Sequence, residues 1–365
     1  MKAALGARAT GRRWPWSLLV VAPLLGASVV LFDCTDGAAS GEAPSPPHPD
    51  GGAVPEPPTT SDAAPQADGS PSPARPLDAA ADHAVTTPGV LRTLASGHGH
   101  PRAIAVAGGF AYFTVYEEAA LRRVPTDGGG VDTLVANFED ALAVTIDGAY
   151  VYAATTHAHG TVIRLPLDGG PTETLAADEV YTTALAVSGA TTYFTTSTAV
   201  KSVAVTGGSI SVVATPLAGP NGIAVAGGSV FFTVYNDGTI RSATGGTVST
   251  ILSGQSYPSG IVLAGGRLAF TCTGDGTVKS ALADGGDLRT LTSGWSYPVA
   301  IVADGPRLYF ATAGGDIVRV NGDGSDLAVL ATNEKGPEGL AVDATSVYWV
   351  THPGGEVRSR TPKYP

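Results

Sequence analysis

From Gly219 to Arg241 the chain alternates short apolar runs with polar breaks: GPNGIAVAGGSVFFTVYNDGTIR. Ile-Ala-Val gives way to a Gly-Gly turn, an aromatic run follows, and Tyr-Asn-Asp-Gly separates it from a third run. Apolar stretches this short, bounded by Gly, Asn and Asp, predict buried strands joined by tight turns. The pattern recurs. First strands centre on Ile104, Leu142, Leu185, Ile223, Ile261, Ile301 and Leu340, at a spacing of about forty residues. Each is followed by an aromatic strand: AYFTV from Ala111, YVYAA from Tyr150, TYFTT from Thr192, VFFTV from Val230, LAFTC from Leu268, LYFAT from Leu308 and VYWVT from Val347. Such residues fill the space between packed sheets. A hairpin over a Gly-rich turn completes the unit, as in VPTDGGGVDTLV from Val124, LPLDGGPTETLA from Leu165 and ALADGGDLRTLT from Ala281. Asp-Gly supplies the positive φ that a tight hairpin needs.

Four strand signals in each period of this length predict one blade of a propeller. The expected fold is all-β: a seven-bladed β-propeller of four-stranded blades. The seventh copy has no closing Thr-Leu strand after GEVRSRTPKYP, but Val90–Ala95 reads VLRTLA and matches LRTLTSG from Leu288. The N-terminal strand is therefore expected to complete the last blade and close the ring, removing the exposed edges of an open array. This assigns residues 89–365 to the propeller.

The segment before it divides in two. Lys2, Arg8, Arg12 and Arg13 precede an apolar run from Ser17 to Phe32, the layout of a secretory signal over residues 1–36. Leu31-Phe32-Asp33-Cys34 resembles a bacterial lipoprotein cleavage site, where Cys34 would carry lipid; cleavage near Gly37–Ser40 is the other reading. Residues 37–88 are Ala, Pro, Ser, Asp and Gly with almost no large apolar side chain, which predicts a disordered stalk. The expected location is the cell envelope, periplasmic or at the cell surface, with the membrane touched only through an N-terminal lipid anchor.

Composition narrows the partners. The formal net charge is -11, so a phosphate backbone would meet repulsion, and nucleic acid is excluded as a partner. The two cysteines are Cys34 and Cys272, so no disulfide framework supports the fold. Cys272, in the middle of an apolar strand, reads as a small hydrophobe.

The copies GPNGIAVAGGSVFFTVYNDGTIR and GPEGLAVDATSVYWVTHPGGEVR resemble the Pro-x-Gly-Ile-Ala-Val and Tyr-Trp-Thr-Asp repeats of NHL propellers, low-density-lipoprotein-receptor propellers and streptogramin lyases. The resemblance runs from about residue 89 onward. It implies fold rather than activity, because the matching positions are core and turn residues and the superfamily spans binding modules, sensors, lactonases and lyases. Receptor-type members usually have six blades, against seven here. The lyases are understood to rely on a metal with a Glu-x-His pair; no such string occurs in this chain, and no catalytic residue is carried over.

Specific contacts are expected where the repeat varies. Aligned on the central Ile or Leu, the position two before it holds Arg102, Asp140, Thr183, Asn221, Ser259, Val299 and Glu338. Four before it stand His100, Phe138, Tyr181, Tyr257 and Tyr297, and Tyr235 lies on a loop of the same face. A polar ring under an aromatic rim suits a protein, peptide or carbohydrate ligand. Packing between blades is the other reading of those aromatics. His98, His100, His157, His159 and His352 fall on the same face; with Glu139, Asp140 and Glu338 they are candidate ligands for a divalent metal, or else polar surface. No other cofactor is implied. The leading functional expectation is a monomeric binding or protein-interaction module working through the channel mouth. The alternative is a metal-assisted lyase or lactonase at the same face.

Overall fold

The computed structural model describes Val85 and residues 88–364. The leader, the stalk and Cys34 lie outside the described residues, Val85 and Pro88 apart. Within the described residues the chain forms seven antiparallel four-stranded sheets. Six are built from consecutive strands; blade 1, for example, runs Pro101–Ala107, Phe110–Val115, Ala120–Pro125 and Asp132–Val135. Successive inner strands pack side by side, and that of blade 1 packs against Pro337–Val342 of blade 7, so the blades form a closed ring.

Closure follows the expected route. Val90–Ala95 pairs with Glu356–Thr361, from Val90↔Thr361 to Ala95↔Val357, and becomes the outermost strand of blade 7. Leu94 and Ala95 are buried while the strand's first four residues face outward. Beyond Thr361 the chain binds blade 6: Lys363 Nζ lies 2.8 Å from Asp304 Oδ2 and also donates to the carbonyl of Asp343.

Two side-chain rules hold the blades together. In six of the seven blades the second strand sends a large residue into the groove toward the next blade. Tyr112, Tyr152, Tyr193, Phe231, Tyr309 and Tyr348 do this, each packed on apolar residues of its neighbour. Nearer the axis, a buried threonine stitches neighbours. Thr233 Oγ1 accepts from Gly222 N at 2.8 Å and donates to Ser259 O of blade 5 at 2.7 Å. Thr114 does the same for Ala103 N and Leu142 O of blade 2, at 3.0 and 3.1 Å. The inner strand bulges here, because Pro220 pairs with Val234 and Ile223 with Phe232. The bulge turns a backbone N–H away from the ladder, and the threonine satisfies it. Small residues at this point are required by proximity: a Cβ on Gly339 would lie 2.8 Å from Arg102 O across the seam.

Candidate functional site

The loops that enter the inner strands all turn in the same way. His100, Asp140, Tyr181, Gly219, Tyr257, Tyr297 and Gly336 have φ between 48° and 70°. In six of the blades the carbonyl at this position accepts from the residue just after the second strand, as in Tyr116 N to His100 O at 3.0 Å and Thr273 N to Tyr257 O at 3.1 Å. The entering loop and the loop after the second strand thus share one face, the mouth of the channel.

Register corrects two sequence assignments. In blade 1, Ile104 pairs with Phe113 and Ala107 with Phe110; in blade 2, Val144 pairs with Ala153 and Asp147 with Tyr150. Val144, rather than Leu142, is the counterpart of Ile104. Asp140 therefore occupies the His100 position, and Leu142 takes the place of Arg102. Phe138 is not on the rim: it is buried with Tyr112 and Val144 between blades 1 and 2.

The mouth has two chemically different sectors. At the seam, Arg102 Nη1 reaches Glu338 Oε1 and Oε2 at 2.9 and 3.0 Å. His352 Nδ1 lies 3.1 Å from the same carboxylate, and the His352 and His100 rings meet edge to face at 3.9 Å. His100 Nδ1 in turn faces Glu117 Oε1 at 3.1 Å. Arg102 also covers the Tyr116 ring, at 5.3 Å. Burial, and then a hydrogen bond with Asp140, push the Tyr116 phenol up from its ordinary value. Tyr116 holds in blade 1 the position that Tyr235 holds in blade 4 and His352 in blade 7, just after the second strand, and Glu117 follows it.

The other sector is aromatic. Tyr181, Tyr257 and Tyr297 of blades 3, 5 and 6 are 51%, 51% and 56% exposed. Tyr235 packs against Tyr257 with ring centroids 5.1 Å apart and planes tilted by 40°. Beneath them, Asn221 and Ser259 are buried, and Asn221 Oδ1 and Ser259 Oγ find no hydrogen-bond partner among the described residues. Thr183 donates to Pro220 O at 3.3 Å, which ties it to the neighbouring blade.

The histidines separate. His98 does not share a side with His100: the left-handed turn at His100 breaks the extended alternation, and the His98 ring lies 5.2 Å from Phe113. Its Nδ1 is 3.1 Å from Arg122 Nη1 and 3.4 Å from Glu118 Oε1. Burial holds its pKa below the ordinary 6.5, with Arg122 acting in the same direction against Glu118. In blade 2, His159 N donates to His157 Nδ1 at 3.1 Å, and exposed His159 faces Asp178 at 3.2 Å. Among the described residues no three His, Cys, Asp or Glu side chains converge as a ligand set for a metal ion. Cys272 is buried, and burial pushes its thiol up to about 11.

No protein-family model matches the chain, and no curated protein matches it. Solved structures do. A catalytically inactive histidine-to-alanine variant of virginiamycin B lyase from Staphylococcus aureus, crystallised with quinupristin, superposes with a TM-score of 0.65 at 17% identity, covering 75% of this chain and 99% of that one. The WD40 β-propeller domain of Doa1 gives 0.65 at 13% identity, over 75% and 98% of the two chains. A chain of the nidogen–laminin complex gives 0.50 at 17% identity, over 57% and 89%. At these identities the likeness shows the fold alone. The protein is a seven-bladed β-propeller.

Proposed function

We propose that this propeller is an exported, envelope-tethered binding module that takes a peptide or carbohydrate segment across the aromatic sector of its mouth. The observation that carries the reading is the placement of Tyr181, Tyr257 and Tyr297. Each occupies a left-handed backbone position, at φ of 53°, 48° and 50°, where blades 4 and 7 use glycine. A bulky side chain costs free energy there, so its presence at a half-exposed rim calls for a contact outside the fold. Exposed tyrosines offer flat apolar faces with a polar edge, and the unpartnered Asn221 Oδ1 and Ser259 Oγ supply polar groups below them. The basic-then-apolar leader over residues 1–36 supports export.

Glycan and peptide arrays probed with the chain from Gly37 onward test this. One ligand class should bind, and the triple variant Tyr181→Gly, Tyr257→Gly, Tyr297→Gly should lose that binding while remaining folded. Silence on both arrays, or binding that survives the triple substitution, would overturn the reading.

A second reading rests on the seam sector. His352 on Glu338, with His100 at its edge, puts imidazole and carboxylate together as the acid–base chemistry of a lyase or lactonase requires. Joint His100→Ala and His352→Ala substitution would abolish such an activity and leave binding at the tyrosine sector intact.

A further inference from the structure

The groove between blades 5 and 6 departs from the rule that fills the others. The position held by Tyr112, Tyr152, Tyr193, Phe231, Tyr309 and Tyr348 in six blades is held by Ala269 in blade 5. Ala269 pairs with Ser280, and serine is also the cross-strand partner of Tyr193, Phe231 and Tyr348, so the missing ring at Ala269 is what sets blade 5 apart. A cavity of about 360 Å³ opens there, walled by Ala269, Ser280 and Leu308. It lies among the turns that leave the inner strands, at the opposite end of the blades from the mouth loops.

Three guanidinium groups frame it. Arg267 Nη1 and Arg289 Nε share the carboxylate of Asp287, each at 2.9 Å. Arg307 lies over the Tyr364 ring at 4.6 Å, and its Nε is buried without an acceptor among the described residues. The other acid at the rim, Asp323, accepts from Ser325 N at 2.9 Å. Three arginines against two carboxylates leave an unanswered positive charge beside an apolar slot.

We propose that this slot is a second binding site, distinct from the mouth, for a small flat-ring molecule bearing an anionic group. The ring would stand where the other blades place their own Tyr or Phe, against Leu308, and the acid would meet Arg307 with Arg289 beside it. The volume is at the small end of ligand pockets and suits one ring with a short acidic arm. The slot shares no lining residue with the tyrosine sector.

Isothermal titration of the chain from Gly37 onward with 4-hydroxyphenylacetate, 4-methylphenol and acetate tests it. The aryl acid should bind with Kd tighter than about 1 mM, and each fragment alone at least about tenfold more weakly. Ala269→Tyr, which restores the repeat, should abolish binding and raise Tm; if that variant fails to fold, Ala269→Leu carries the same expectation. Arg307→Gln should weaken the aryl acid about tenfold and leave 4-methylphenol unchanged. The triple tyrosine variant of the mouth should bind the aryl acid like the wild type. No saturable binding by the wild type, or undiminished binding by a folded protein with the slot filled, would overturn the proposal.

Discussion

Arg102 and Glu338 are 236 residues apart in sequence and joined by two hydrogen bonds in space, of 2.9 and 3.0 Å, across the seam between the first and last blades. Both side chains are largely buried, at 14% and 10% exposure. Removing one partner of such a pair strands the other charge, whereas removing both together does not. Glu338→Ala should therefore cost about 3 kcal/mol of stability. The double variant Arg102→Met, Glu338→Leu should recover most of it, as read by urea unfolding of the three proteins.

Ring closure makes a larger demand on the N-terminal strand. Deleting Val90–Ala95 removes the outer strand of blade 7 and exposes the site where Leu94 is buried. Leu94 alone contributes about 1.5–3 kcal/mol. A marked fall in Tm is expected, and unchanged thermal unfolding would mean that the strand does not close the ring in solution.

The stitching threonines offer a cleaner measurement because valine has the same shape. Thr233→Val leaves Gly222 N of blade 4 and Ser259 O of blade 5, both buried, without their partner. The expected loss is about 1–3 kcal/mol. Amide exchange at Gly222 should accelerate more than exchange elsewhere in the blade.

Tyrosine at a left-handed position has the opposite stability signature. Tyr297 is 56% exposed at φ 50°. Tyr297→Gly relieves a backbone cost of about 1–2 kcal/mol, partly offset by the greater freedom of glycine in the unfolded chain. Stability measured by urea unfolding should rise slightly while ligand binding at the mouth falls. A loss of stability would show that the ring holds the fold rather than a ligand.

Acid should loosen the seam through His98. Its folded pKa lies below 6.5, chiefly because it is buried, so the unfolded chain takes up a proton more readily. Between 6.5 and the lower folded value the unfolded state binds more protons, and stability falls as pH falls. The Tm difference between about pH 7.5 and about pH 5.5 should be smaller in His98→Gln than in the wild type.

Blade number, strand order and closure were legible in the sequence, because Gly-bounded apolar runs recur with one period and a spare strand matched the missing one. Register inside a blade was harder to read. The run Ala141-Leu142-Ala143-Val144 alternates small and large residues, so Leu142 and Val144 fit a central position equally well. Counting back from the Asp147-Gly148 turn resolves them, since hairpin turns fix register. The histidine pairs misled for a related reason: alternation places two side chains together only in an extended segment, and His100 is left-handed. Ala269 stood in plain view within LAFTC. Its meaning appeared only when the groove that it fails to fill was seen beside six filled ones.

The pairing of Val90 with Thr361 places the entrance and exit of the ring on adjacent, antiparallel strands. A short loop joining them would turn blade 7 into an ordinary hairpin blade, indistinguishable in connectivity from its neighbours. New termini could then be opened at another outer hairpin, such as Gly207-Gly208 of blade 3. In that sense the propeller has no first blade: the order of its genes' codons chooses where the circle is cut, and the circle itself is indifferent to the choice.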